Sequence, residues 1–205
     1  MDYLEVAKKE IREKWFADHV IKSIEGENGF QRIVWGKKGT RMYQIEYVLS
    51  DNMVFVSGDL GDAVYSLTCM ATLNNIKDFD LSYFTSKLTA HSSERWDFNQ
   101  KLAQKQIKEY FLEWCDVEDV DELTEDEQEL YQTLINATIE WDDYKAFEAL
   151  GVWSTYYNTN VDWFDSEAAS CIASCGKRLP YCFVAYWLGL KMIAEQLEQT
   201  NLKLA

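Results

Sequence analysis

Three side chains in the first half of the chain could hold a divalent cation or transfer a proton. Asp59 and Asp62 lie in the turn Gly58-Asp59-Leu60-Gly61-Asp62, after an expected strand, and His91 lies in the segment AHSSERW. Carboxylates and an imidazole could together form a metal-dependent phosphoesterase or nuclease, with the imidazole as general base. We favour the alternative that the aspartates close a turn and cap the next element, and that His91 is solvated or caps a helix.

The cysteines are a second set of possible metal ligands. Cys171 and Cys175 are four residues apart, so both sulfurs would lie on one face of a helix, and Cys182 could lie near them. A zinc site would need a fourth ligand, and both histidines are far away in sequence. Five cysteines without regular spacing also argue against a secreted disulfide framework. We therefore predict reduced thiols, with no metal and no cofactor.

The negative charge is concentrated in one segment. Residues Glu113 to Glu167 include 17 acidic residues and one basic residue, Lys145, whereas the whole chain of 205 residues has a net charge of −15. Such a field favours a positively charged partner and repels nucleic acid, which argues against direct DNA or RNA binding. The alternative is that the acidic residues only keep a surface solvated.

We predict that a partner binds the most acidic part of this segment. The predicted carboxylates are Asp116, Glu118, Asp119, Asp121, Glu122, Glu125, Asp126, Glu127 and Glu129. Trp141, Tyr144 and Trp153 are predicted aromatic anchors, because tryptophan and tyrosine are enriched at binding hot spots. The other interpretation of these aromatic residues is that they form core.

No complete catalytic signature is present. The sequence has no P-loop, no nucleophile elbow, no H-E-x-x-H motif and no deaminase H-x-E with C-x-x-C. We expect a protein that is not an enzyme.

The apolar pattern predicts an α+β fold. Helical spacing predicts an amphipathic helix over residues 3–17, and aromatic and β-branched runs between residues 30 and 57 predict three antiparallel strands. Residues 63–70 could form a fourth strand or begin a helix. We expect a β-meander of three or four strands packed against a helical C-terminal half.

The rest of the chain is predicted to be mainly helical. Expected helices cover residues 96–114, 125–139 and 181–199, and residues 141–165 are expected to form a helical hairpin. No linker or repeat divides the chain, so we predict one domain over residues 1–205, sheet-rich in 1–73 and helical in 94–205. No apolar run is long enough to cross a membrane, and the charged N-terminus lacks a secretory core, so we expect a cytoplasmic monomer or homodimer.

Two parts of the sequence resemble a group of phage proteins. The run MYQIEYVLSDNMVFVSGDLGDAVYSL resembles small uncharacterised proteins of tailed phages and prophages, in which a hairpin ends in a similar G-D-L-G turn. Arg178-Leu179-Pro180-Tyr181 followed by AYWLGLKMIAEQL is similar to the C-terminal part of the same group. The resemblance covers about a quarter of the chain and leaves out the acidic middle. It implies the host cytoplasm and a small accessory protein that acts by binding.

Phage proteins of this size and acidity include inhibitors of restriction and CRISPR nucleases. Duplex DNA carries about one negative charge per 1.7 Å of axis, and carboxylates on helices can imitate part of that pattern. We expect a non-enzymatic inhibitor that binds the basic groove of a host nucleic-acid-binding defence protein, such as a CRISPR effector nuclease. The alternatives are the metal-dependent phosphoesterase or nuclease and a phage structural or assembly protein.

Overall fold

The computed structural model describes residues 3–27 and 29–204. Chain contacts divide these residues into two compact units. The sheet unit combines the residues up to Arg95 with those from Pro180 onwards, and the acidic unit is Trp96–Leu179. That the chain forms one domain stays a prediction, but the C-terminal helix groups with the sheet and not with the other long helices.

The sheet unit contains a six-stranded antiparallel sheet in which each strand pairs with the next along the chain. The strands are β1 (His19–Glu25), β2 (Phe30–Lys37), β3 (Ile45–Ser50), β4 (Met53–Gly58), β5 (Ala63–Ser66) and β6 (Leu88–His91). The α+β class is confirmed. The three strands predicted between residues 30 and 57 are β2, β3 and β4, and the fourth predicted strand is β5. The prediction missed β1 and β6, so the meander is longer than expected.

One face of the sheet forms the core of its unit. Alternation along β3 buries Ile45, Tyr47 and Leu49, which pair in register with Gly58, Val56 and Val54 of β4. The side chains between them point to the opposite face, as the two-residue period of a strand requires. The core is therefore one-sided and needs helices to cover it.

Four helices belong to this unit within the described residues. They are α1 (Tyr3–Glu10), which continues as a π-helical turn to Trp15, α2 (Leu73–Ile76), α3 (Leu81–Ser86) and α9 (Tyr181–Leu204). Tyr47 of β3 donates a 2.9 Å hydrogen bond from its hydroxyl to the Tyr186 carbonyl, and the Tyr186 hydroxyl donates to the Leu60 carbonyl at 2.6 Å. These bonds fix α9 on the buried face, and both predicted terminal helices are confirmed.

The acidic unit is a helical cluster with a short two-stranded pairing. Its elements are β7 (Asp97–Phe98), α4 (Gln100–Trp114), a 3₁₀ turn (Val120–Glu122), α5 (Glu125–Glu140), α6 (Tyr144–Ala146), a π-helical segment (Phe147–Trp153), α7 (Ser154–Asn158), α8 (Ser166–Ala173) and β8 (Lys177–Arg178). Ile107, Phe111, Leu134, Phe147 and Ile172 are fully buried in its core. The unit has 19 acidic and six basic residues, whereas the rest of the chain has 16 and 14.

Two predicted helices of this unit are confirmed, with one shifted start. The predicted helix 125–139 is α5, and its Leu130, Leu134 and Ala137 face inward as expected. The helix predicted to start at residue 96 begins at Gln100, because the Asn99 side chain caps it by accepting from the Leu102 amide at 3.0 Å. The two residues before the cap pair with β8 instead.

Candidate interaction surface of the acidic unit

The predicted carboxylates lie between the end of α4 and the second turn of α5. We call Asp116–Glu129 the acidic segment. Asp116 has a φ of 53°, which turns the chain out of α4, and the 3₁₀ turn then leads to the Thr124 cap of α5. Eight of the nine carboxylate side chains are exposed, and the ninth, Glu127, is partly buried. The local fold thus turns the predicted acidic residues towards solvent, with one exception.

Glu127 is bound internally by both carboxylate oxygens. Its Oε2 accepts from the Thr124 amide at 2.9 Å and from the Thr124 hydroxyl at 2.8 Å, which completes a capping box. Its Oε1 accepts from the Trp163 indole at 2.8 Å and from the Cys115 thiol at 3.4 Å. Donation by the Thr124 amide, followed by that from Trp163, lowers the Glu127 pKa to about 2. Glu127 therefore holds the fold, and we leave it out of the proposed surface.

The three predicted aromatic anchors differ in accessibility. Tyr144 is 8% exposed, and the Lys177 ammonium lies 4.8 Å from its ring centroid, so its ring is already covered. Trp141 and Trp153 are partly buried and pack against the core of the acidic unit. We leave Tyr144 out of the proposed surface and keep the two tryptophans, which are partly accessible.

Local interactions stabilise only some of the carboxylates of the acidic segment. Glu125 and Asp126 lie in the first turn of α5, where the helix dipole stabilises carboxylates. Two ion pairs of this unit, Lys105–Glu109 at 3.5 Å and Arg178–Asp97 at 3.8 Å, lie outside the segment. The field of the segment is therefore directed to solvent, where a cationic partner can neutralise it.

The residues of the alternative metal site, Asp59, Asp62 and His91, make contacts within turns and with neighbouring side chains. Asp59 accepts from the Tyr43 amide at 2.7 Å, and the Asp62 amide donates to the Ser92 hydroxyl at 2.8 Å. The His91 ring contacts the Ser93 carbonyl and packs edge-on against Phe183. Across residues 3–27 and 29–204, no three His, Cys, Asp or Glu side chains form a group that could hold a metal ion. This geometry supports the turn-closing alternative.

Two of the five cysteine thiols are hard to ionise because of their surroundings. All five cysteines are free in the structure. Burial raises the pKa of Cys175 to about 12, and burial together with the Glu127 carboxylate raises the pKa of Cys115 to about 12. Neither thiol is a thiolate nucleophile at neutral pH.

Two open clefts lie beside the acidic segment, within the same unit. A cleft of about 400 Å³ runs between α5 and α7, and its polar wall includes Asp126, Glu129 and Asn158. A groove of about 360 Å³ is lined by Trp114, Trp163, Asp165, Glu167, Ala168 and Cys171. The sequence analysis did not identify the residues that line this groove. Its only signal is the run Trp163-Phe164-Asp165-Ser166-Glu167, in which aromatic and acidic residues stand together.

Within the described residues, no helix is both long and apolar enough to span a bilayer. Comparison with protein-family models, with curated proteins and with solved structures gave no significant match. The resemblance to phage proteins therefore stays a prediction from the two sequence runs.

Proposed function

We propose that the chain is a non-enzymatic phage or mobile-element protein that binds a host nucleic-acid-binding defence protein through its acidic unit. The partner would present a basic groove, as a CRISPR effector nuclease does, and binding would block the groove to nucleic acid. The proposed surface consists of Asp116, Glu118, Asp119, Asp121, Glu122, Glu125, Asp126 and Glu129, together with the partly accessible Trp141 and Trp153 of the same unit.

One observation carries the proposal: eight exposed carboxylates lie within 14 consecutive residues that contain no lysine or arginine. A net charge of magnitude about 2–8 is enough to keep a small domain soluble, whereas the acidic unit has a net charge of −13 and the sheet unit has almost balanced charge. Concentrated charge of one sign steers association with a partner of the opposite sign and raises the on-rate at low salt. The proposed host cytoplasm follows from the nature of that partner.

The capped, ordered segment suits recognition of a groove that normally holds a duplex. Since α5 and the 3₁₀ turn fix the backbone, the carboxylates are held on a rigid scaffold and lose little conformational entropy on binding. A duplex likewise presents closely spaced anionic oxygens on an ordered backbone. A lysine- and arginine-lined groove could therefore accept either ligand.

Affinity capture from bacteria that carry defined CRISPR and restriction systems tests the proposal. The test variant replaces Glu118, Asp121, Glu122 and Glu129 with lysine, and the control variant replaces the exposed Glu5, Glu13, Glu27 and Asp78 of the sheet unit. Both variants change the net charge by the same amount. Mass spectrometry should identify a nucleic-acid-binding effector with the wild type and the control, and lose it with the test variant.

Capture that survives in the test variant would show that the acidic segment is not the binding surface. Equal loss with both variants would indicate a general charge effect and would equally contradict the proposal. Purified effector should also bind more slowly as salt is raised, because screening shortens the reach of the field. A stable oligomer of this chain in the absence of any host protein would favour the assembly-protein alternative.

A further inference from the structure

The groove beside the acidic segment combines two indole rings with two carboxylates. Trp114 and Trp163 line it together with Asp165 and Glu167, and no lysine or arginine is among its lining residues. We propose that this groove binds an arginine side chain of the basic partner. The inference rests on the proposed function, because it names the chemical group that the acidic unit recognises.

The two indole rings are held in place before any partner binds. Trp163 donates its indole N–H to Glu127 at 2.8 Å and packs edge-on against Phe111, with ring centroids 5.2 Å apart. Trp114 stacks on Tyr110 with centroids 4.7 Å apart, and it meets Trp163 at 5.6 Å. Because these contacts fix the rings, a ligand would not bear the entropic cost of ordering them.

The carboxylates of the groove are placed at the start of α8. Asp165 caps this helix through Oδ1, which accepts from the Glu167 and Ala168 amides at 2.9 Å. Capping uses one oxygen, so Oδ2 can still accept a hydrogen bond from a ligand. Glu167 is exposed in the first turn of the same helix. The groove therefore offers anionic acceptors beside aromatic rings.

This combination fits a guanidinium better than any other common cation. A guanidinium is planar, is weakly hydrated, can stack on an indole and donates two parallel hydrogen bonds to a carboxylate. A lysine ammonium is a strongly hydrated point charge that lacks the planar fork. The groove volume of about 360 Å³ is large enough for the end of an arginine side chain. Phosphates are disfavoured by the local negative charge.

Binding of two simple peptides tests the inference without the unknown partner. The probes are hexa-arginine and hexa-lysine, which have equal charge, titrated into the full chain by calorimetry at fixed salt. We expect the wild type to bind hexa-arginine about three- to fivefold more tightly, the size of an exposed cation–π contribution. Trp114→Leu should bring this ratio close to one and leave hexa-lysine binding nearly unchanged.

A matched pair of charge variants separates the groove from the general field. Asp165→Asn with Glu167→Gln removes two charges from the groove, and asparagine still caps a helix well. Asp126→Asn with Glu129→Gln removes two charges from the neighbouring cleft. The groove pair should reduce the arginine preference, whereas the cleft pair should weaken both peptides by the same factor.

Indole N–H signals in NMR spectra keep the test decisive if Trp114→Leu does not fold. Hexa-arginine should shift the signals of Trp114 and Trp163 in the wild type and leave that of Trp35, which is fully buried in the sheet unit, in place. Equal binding of the two peptides, an unchanged preference in the folded Trp114→Leu variant, or shifts confined to other tryptophans would each overturn the inference. The peptides contain no defence protein, so failure of affinity capture would contradict the proposed function alone.

Discussion

At the scale of single residues, Glu127 differs from its acidic neighbours because it accepts four hydrogen bonds within the unit. We expect Glu127→Gln to lower the free energy of unfolding by about 1–2 kcal/mol, since capping and charge-assisted bonds are lost. Glu125→Gln, in the same helical turn but exposed, should change it by less than about 0.5 kcal/mol. Urea denaturation of both variants measures the difference, and equal effects would contradict the role given to Glu127.

The same carboxylate has a defined pH dependence. Its pKa falls from 4.5 to about 2 on folding, so its charged form stabilises the folded state. This contribution is complete above pH 4.5 and disappears as the pH falls through the folded-state pKa. The stability difference between wild type and Glu127→Gln should therefore shrink steadily between pH 5 and pH 2.

His19 is a buried histidine that should remain neutral. Its Nε2 lies 3.0 Å from the Tyr43 carbonyl, which can only accept, so Nε2 must carry the proton. Its Nδ1 has no hydrogen-bond partner among the residues that the structure describes. Burial is the main cause that lowers the His19 pKa below the usual 6.5, and the bond to Tyr43 opposes it.

Protonation of His19 should therefore favour the unfolded state. Because the His19 pKa is lower in the folded state, the free energy of unfolding is not reduced by this residue above pH 6.5 and decreases as the pH drops below that value. NMR titration should show the Nε2–H tautomer and a pKa below 6.5. Thermal melts between pH 5 and 7 should show a smaller pH dependence for His19→Gln than for the wild type, and identical slopes would contradict the prediction.

At the scale of elements, Gly189 sets the approach of α9 to the sheet. A Cβ at this position would collide with the Tyr47 hydroxyl and lie 3.1 Å from the Trp35 ring. Alanine is the better helix former by about 1 kcal/mol, but overpacking typically costs about 1–3 kcal/mol. We expect Gly189→Ala to be destabilising in chemical denaturation.

A double variant checks this cause. Tyr47→Phe removes the hydroxyl that the new methyl group would meet, so adding Gly189→Ala to it should cost less than in the wild-type background. Equal costs in the two backgrounds would show that α9 avoids the methyl group by shifting. Tyr47→Phe also loses the hydrogen bond to the Tyr186 carbonyl, so the double variant must be compared with Tyr47→Phe alone.

Local patterns predicted most elements, but not those that depend on distant partners. The turn at Ser50 to Met53, the Thr124 cap and the apolar stripe of α5 are encoded within a few residues, so these strands and this helix were found. β1 carries the charged and polar residues of HVIKSIE, and its strand form depends on pairing with β2. β7 and β8 are two residues each and exist only through their pairing.

The candidate surface was predictable in its charge but not in its geometry. A count of acidic residues locates the segment, yet nothing local shows that Glu127 turns inward to meet Trp163, 36 residues later. Likewise, the groove requires Trp114 at the end of α4 to meet Trp163, which precedes the start of α8. Such contacts follow from packing of the whole unit and cannot be deduced from sequence spacing.

At the scale of the whole molecule, charge is divided unequally between the two units. The acidic unit has a net charge of −13, out of −15 for the chain. Like charges this dense repel one another, and the repulsion is relieved on unfolding. Because the screening length falls from about 30 Å at 0.01 M salt to about 10 Å at 0.1 M, added salt should stabilise the fold.

We therefore expect the thermal unfolding midpoint to rise when sodium chloride increases from 10 to 150 mM. The variant with lysine at positions 118, 121, 122 and 129 should show a smaller rise, because the net charge of its acidic unit changes from −13 to −5. The sheet-unit control, with lysine at positions 5, 13, 27 and 78, has the same total charge but an unchanged acidic unit, so it should keep most of the salt response. An equal rise in all three proteins would show that the repulsion is not located in the acidic unit, and would weaken the case that its field is strong enough to steer a partner.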